Sequence, residues 1–453
     1  MTFPALDRSR PPKAGPVRPF RFPPFVRRRL DNGLTVLAAR QEKTSLVRLE
    51  LAFAAGTEHN RPAQAGLASF TGLLLEEGTK HRDALEIAAS VERLGGRLAT
   101  GATWDIGSLS LELLGHHRRQ GLGLITELAL EPSFPVAEIE RLRKRRQAEL
   151  IRLASDPAFL ARDRFRRRIY GDAPYGRSPV GTARSLAAFE RDQIETFYRR
   201  HYRFRGAVAA VIGDQDPEVL VDEVAAVLGH QDSAEAPATP ASTPTHLTGT
   251  EVHLVDRPGA AQTQLLIGHE GLARTDPDFM PMAVMTSLLG GKFTSRINLN
   301  LRERHGYTYG AACQMSIRRG PAPLTVSAAV ANEVAGAAAR QVLYELNRIR
   351  EEKVGADELE DTQNYLIGVF PYTLQTVSAL ATRLENFVIY DLPDDYYDTY
   401  PEAVRAVDRD TVLTVARRYL HPERLLIVAA GPAAELEGQF AEMGPVTVHQ
   451  PAV

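Results

Sequence analysis

Cysteine is almost absent from this 453-residue chain: Cys313 stands alone, so no disulfide can form within it, and neither an oxidising nor a reducing compartment is excluded. An excess of positive charge is also missing. Lys plus Arg number 54 against 56 Asp plus Glu, a net charge of −2, which argues against nucleic acid as the main partner. No run approaches the roughly 18 apolar residues of a membrane-spanning helix. The first residues lack the apolar core of about 7–15 residues that marks a secretory signal, so a cytoplasmic location is expected, with the periplasm as the alternative. What remains is 44% apolar and 24% charged, an ordinary globular composition at a length that suits two to four domains.

The composition divides the chain. Residues 1–29 carry eight cations (Arg8, Arg10, Lys13, Arg18, Arg21, Arg27, Arg28 and Arg29) against Asp7, a net of +7. Pro11, Pro12, Pro16, Pro19, Pro23 and Pro24 forbid an amphipathic helix there. Residues 1–25 are thus a basic, Pro-rich arm, either mobile or a strap that docks on an acidic partner surface. A second shift, rich in Pro, Ala, Ser and Thr, spans 230–250 and reads as a linker between domains at 26–229 and 251–453.

The two halves look like copies. FYRRHYRFRGAVAAVIGD (197–214) and VARRYLHPERLLIVAAGP (415–432) align Tyr202 with Tyr419 and Gly213 with Gly431, and the apolar run 49–54 aligns with 263–268. After an Asp31-Asn32-Gly33 turn, 34–38 and 47–54 read as strands that could pair. Residues 67–77, 84–94 and 138–154 read as helices, and 108–114 as a strand. Strands and helices mix without regular βαβ alternation. An α+β fold is therefore expected, as two duplicated layered domains, each with helices packed on an antiparallel-rich sheet.

The segments LDNGLTVL (30–37), AAGTEHN (54–60), GLASFTGLLLEEGT (66–79), LGG (94–96), AELIRLASDPAF (148–159), PYGRSPVGT (174–182) and LLGGKFTSRINLNLRERHGYTYG (288–310) occur in an order and spacing that resembles the pitrilysin-type zinc peptidases, the insulinase and mitochondrial processing peptidase group. Active members carry H-x-x-E-H on the helix matching 66–79, two histidines for Zn²⁺ and a glutamate as general base. Here Ser69 stands at the first histidine, Gly72 at the glutamate and Leu73 at the second histidine. No two of the twelve histidines are three or four residues apart, so a helical two-histidine zinc site is absent in either orientation. The resemblance places Glu149 at the third ligand. Arg145 and Arg152 lie within helical reach of it, so an ion pair or a solvated face is the expected arrangement, with a remnant ligand as the alternative. Gly72 beside Leu73 suggests a wall packed without an ion. No metal is expected in this chain.

The same resemblance implies that Arg302 and Tyr309, in LRERHGYTYG, form a substrate clamp: a guanidinium on a peptide carbonyl, a phenol donating to a developing oxyanion. Tyr307 competes for the phenol role, since it shares the parity of Tyr309 if the segment is a strand. Gly290-Gly291 marks a tight turn, shorter than the glycine-rich loop of the non-catalytic processing-peptidase subunit.

Relatives often work as two-subunit clamshells with zinc in one subunit. The resemblance therefore implies a zinc-free subunit, inactive alone, paired with a zinc-bearing homologous subunit to cleave unstructured peptides. The alternatives are an assembly scaffold and a stand-alone peptide-binding pseudoenzyme, a homodimeric one included.

Overall fold

A computed structural model describes residue 15 and residues 19–231, 234–235, 238–239 and 242–451. Six strands of the first half, β1 (Phe25–Arg29), β2 (Thr35–Arg40), β3 (Leu46–Phe53), β4 (Arg97–Ala102), β5 (Gly107–Leu114) and β6 (Val208–Gly213), form one sheet in the order β1-β2-β6-β3-β5-β4. Six of the second half, β7 (Glu251–Asp256), β8 (Gln262–Glu270), β9 (Ala311–Met315), β10 (Pro323–Ala331), β11 (Leu426–Gly431) and β12 (Val446–His449), form another, β12-β7-β11-β8-β10-β9. The fold is α+β and duplicated. Among the described residues only the β2–β6, β7–β11 and β7–β12 pairings are parallel.

The duplication holds at the sheet centres and breaks at one edge. β6 and β11 occupy the same place and end at Gly213 and Gly431. Ala52 faces Val208 and Gly268 faces Leu426, so Ala52 is the counterpart of Gly268. The alignment of 49–54 with 263–268 was therefore two residues out of register. Beside β2 lies the preceding hairpin strand β1, whereas beside β7 lies the C-terminal β12.

The two early strands do not pair with each other. The Asp31–Gly33 turn, with Gly33 at φ +86°, joins β1 to β2 instead, and β6 inserts between β2 and β3. The cause lies in the side chains. β6 is Val-Ala-Ala-Val-Ile-Gly and buried throughout, which only a central strand covered on both faces satisfies.

Each half covers the outer face of the other's sheet. The helix Val377–Ile389 lays Leu380, Ala381, Leu384 and Phe387 over Leu37, Ala52, Val208 and Ala210 of the first sheet. Reciprocally, the helix Pro157–Tyr170 lays Leu160, Ala161, Phe165 and Ile169 over Leu266, Leu426 and Val428 of the second. The halves thus share two apolar cores.

The 230–250 segment has no helix or strand among its described residues, and its end is stitched to the first half: Ser242 Oγ accepts from the Tyr175 N–H at 3.0 Å, and Leu247 is buried. Of the arm, residues 1–14 and 16–18 lie outside the described residues. From residue 19 onward the surface it occupies is the chain's own. Phe20 packs on Phe370 and Phe22 on Tyr397, and Asp398 Oδ1 accepts from the Phe22 N–H at 2.9 Å. Among the described residues no helix is long and apolar enough to cross a membrane.

Candidate functional site

The helix Leu67–Leu74 starts where Gly66 adopts φ +87°, and Asn60 Oδ1 accepts from the Ala68 N–H at 2.9 Å. Its Ser69 faces the long helix Val136–Leu153. Arg146 from that helix donates Nη2–H to Ser69 Oγ and Nη1–H to Glu149 Oε2, both at 2.6 Å. One guanidinium, its side chain only 11% exposed, therefore ties together the positions matching the first and third metal ligands. An ion pair at Glu149 was expected, but through Arg145 or Arg152. Arg145 instead points to Glu77, 3.8 Å away. The sequence carried a signal for Arg146 in its i,i+3 spacing to Glu149, hidden by the neighbouring cations Arg143, Lys144 and Arg145.

Gly72 is a point of close approach. A Cβ there would lie 2.7 Å from the backbone carbonyl of Gly101 on β4, so no side chain fits unless the strand moves. Leu73 packs against the first core. These residues do not fit zinc: Ser69 is a hydroxyl already engaged by a cation, Gly72 has no room for a carboxylate, and Leu73 offers no lone pair. Among the described residues no group of three His, Cys, Asp or Glu converges as a metal site.

In the second half, the helix Phe279–Thr286 continues through widened turns to Gly291. Gly290-Gly291 is therefore the end of a helix, not a tight turn. Gly290 is needed because a Cβ would sit 2.3 Å from the Cys313 nitrogen on β9. The same close approach of helix to edge strand thus recurs in both halves. Asn298 then braces the far wall, donating to the Phe293 carbonyl at 2.7 Å and accepting from the Ala311 N–H at 3.1 Å.

Arg302 and Tyr309 open into one groove of about 580 Å³, bordered by Gly291, Phe293 and Ala311. The Arg302 guanidinium lies 4.4 Å over the Phe293 ring, which holds it without neutralising it, and Glu303 is 3.5 Å away. Tyr309 is 91% exposed. Tyr307 takes a different path: its ring stacks on His305 and packs against the second core. Residues 305–310 are not a strand, so the parity argument does not apply.

Sequence reasoning missed a buried polar cluster where the halves meet. Arg318 lies 4.0 Å over the Trp104 ring and 4.8 Å over Tyr175. Tyr175 donates its hydroxyl to Asp105, whose other oxygen accepts from the Arg319 N–H at 3.3 Å. Burial, with the Asp105 carboxylate close by, pushes Glu58 up to about 8. These residues are scattered over more than 200 positions, so no spacing announces them.

Two family models match in succession: the insulinase (peptidase family M16) model over residues 35–183 and the peptidase M16 inactive domain model over 188–366. An uncharacterized zinc protease of Streptomyces coelicolor is 25% identical over 79% of this chain and 80% of its own length. One from Bacillus subtilis is 21% identical over 78% and 85%. Among solved structures, a peptidase M16 inactive domain from Pseudomonas fluorescens superposes with a TM-score of 0.85 at 24% identity, covering 90% of this chain and 98% of that one. A protease from Helicobacter pylori reaches 0.85 at 18% identity over 91% and 100%. With its two successive M16 matches and its duplicated α+β fold, the chain belongs to the insulinase family of peptidases, M16.

Proposed function

We propose that this chain is the zinc-free subunit of a two-chain M16 endopeptidase, supplying Arg302 and Tyr309 to a site whose metal belongs to a homologous partner. The observation that carries this reading is the contrast between the two halves. At the positions matching the metal site, the guanidinium of Arg146 joins Ser69 to Glu149. In the other half, Arg302 and Tyr309 share an open groove and neither is buried.

The chemistry assigned to the groove is binding and orientation. Arg302 presents fixed, permanently charged donors to a peptide carbonyl. Tyr309 donates its phenolic O–H to the oxygen on which charge develops. Among the described residues β9 is an edge strand, paired only with β10, so an extended substrate can add to it through main-chain hydrogen bonds. Unstructured peptides are the substrate class this arrangement accepts. Zinc, when bound in the partner, supplies the activated water.

The test is reconstitution. The purified chain is expected to bind no stoichiometric zinc and to cleave no peptide, and to support cleavage when mixed with an H-x-x-E-H-bearing relative from the same source. Metal analysis giving one tightly held zinc per chain would overturn the proposal. So would peptide cleavage by the isolated chain.

A further inference from the structure

The groove that holds Arg302 and Tyr309 carries charge of one sign. Lys292 and Arg302 both border it, and among the described residues no Asp or Glu does. The rest of its lining is neutral, aromatic at Phe293 and Tyr365 and small at Ala311 and Ala328.

The two cations are held differently. The Arg302 guanidinium rests 4.4 Å over the Phe293 ring, and the proposed function gives it the substrate's main chain. Glu303 lies 3.5 Å from Arg302 Nε, but that carboxylate is 56% exposed and screened by water. Lys292, one residue before Phe293, has no aromatic shelf. Its ammonium makes no hydrogen bond and no ion pair among the described residues. The residue is nonetheless half-buried, and burial holds its pKa below the ordinary lysine value against the pull of Asp361 and Glu358.

Neither of those carboxylates is placed to close on it. Glu358 is taken by Arg296, whose Nε and Nη2 donate to its two oxygens at 2.6 and 2.8 Å. Asp361 is exposed on the helix Ala356–Val369 and does not border the groove. A half-buried ammonium without a partner is costly, and a carboxylate arriving from outside removes that cost.

We infer that Lys292 sets the specificity of this groove, and that the preferred peptides place a Glu or Asp side chain against it while Lys or Arg at the same place is rejected. An extended peptide turns alternate side chains to one face, so a chain held by Arg302 offers a side chain to the groove every second residue. A basic side chain there would lose water beside two cations, with no carboxylate to offset them. The chain as a whole carries a net charge of −2, so its overall field does not draw acidic peptides. A preference for them has to come from the groove.

The experiment measures binding of labelled, end-capped peptides to the full chain by fluorescence anisotropy. The probes alternate Ala with Glu, Gln or Lys, so every register presents the same side chain, and capping leaves side chains as the only carboxylates. The Glu peptide is expected to bind about tenfold more tightly than the Gln peptide, the effect of one charge-assisted hydrogen bond, and the Lys peptide most weakly. Lys292→Gln should bring the Glu and Gln peptides together, and Lys292→Glu should reverse the order. A Gln peptide with a free C-terminus that matches the Glu peptide would move the carboxylate to the chain end and overturn the side-chain assignment. Equal binding of the Glu and Gln peptides by the wild-type chain, or a Glu preference that survives in Lys292→Glu, would overturn the inference. It rests on the reading of the groove as a peptide site, yet the two fail separately. If the reconstituted pair cleaves the Gln peptide as well as the Glu peptide, only the role of Lys292 falls. If the isolated chain prefers the Glu peptide but reconstitution gives no cleavage, only the two-chain reading falls.

Discussion

Arg146 Nη2 donates a 2.6 Å hydrogen bond to Ser69 Oγ, and the same guanidinium holds Glu149. A fixed internal cation thus cross-links the helices Leu67–Leu74 and Val136–Leu153. Arg146→Ala leaves the Ser69 hydroxyl and the Glu149 carboxylate, 32% exposed, without this partner. The expected cost is about 1–3 kcal/mol, the usual range for losing a hydrogen-bonded charged partner. Arg146→Lys should recover only part of it, since one ammonium does not reproduce the planar fork. Urea unfolding measures both, and a wild-type midpoint for Arg146→Ala would show that the bridge contributes nothing to stability.

Gly72 separates two opposing effects. Helix propensity alone makes Gly72→Ala stabilising by about 1 kcal/mol. The structure puts the added methyl 2.7 Å from the Gly101 carbonyl, so the helix or β4 must shift, and overpacking of this kind costs about 1–3 kcal/mol. The steric effect should win, and Gly72→Ala is expected to lower the melting temperature. Gly123→Ala, in the helix Arg118–Leu130 with open space at its Cβ, is the control and should not destabilise. If both variants raise the melting temperature, the close approach at Gly72 is relaxed in solution.

Local patterns carried much of this fold. The Ala84–Arg93 helix, with its Asp83 cap, and strand β5 follow from periodicity and turn residues. Strand neighbours did not follow, because β6 reaches its place between β2 and β3 from more than 150 residues downstream. The exchange of helices between halves was equally silent: an apolar face such as that of Leu380, Leu384 and Phe387 shows that a helix is covered, not by what. At the site, Arg302 and Tyr309 are close enough in sequence for spacing to speak. Away from it, His59 and His201 are not, and only the folded chain brings their rings together.

Tyr309 is 91% exposed, so Tyr309→Phe removes a hydroxyl that stabilises nothing in the free chain. Its melting temperature is expected to match wild type. In the reconstituted two-chain enzyme, turnover should fall by roughly 10²–10³, the typical effect of losing one oxyanion donor. Tyr307→Phe, whose ring stacks on His305 outside the groove, should leave turnover unchanged. If Tyr309→Phe turns over at the wild-type rate, the phenol has no part in the reaction.

Glu58 makes the junction between the halves sensitive to alkali. Its carboxyl is raised from an ordinary 4.5 to about 8, mainly by burial and then by Asp105. A raised carboxyl binds its proton more firmly folded than unfolded, so its contribution is complete below about 4.5 and is lost as pH rises through 8. His59 and His201 act in the opposite sense: lowered from 6.5 to about 4 and 3, they cost stability only as pH falls below 6.5. Between 6.5 and 8 the histidines are silent and Glu58 dominates this cluster. Unfolding free energy should therefore decline across that window in the wild-type chain. Glu58→Gln keeps the size and shape of the side chain but cannot ionise, so its decline should be shallower. Urea unfolding of both proteins at several pH values across the window gives the two slopes, and parallel slopes would place the alkaline sensitivity elsewhere.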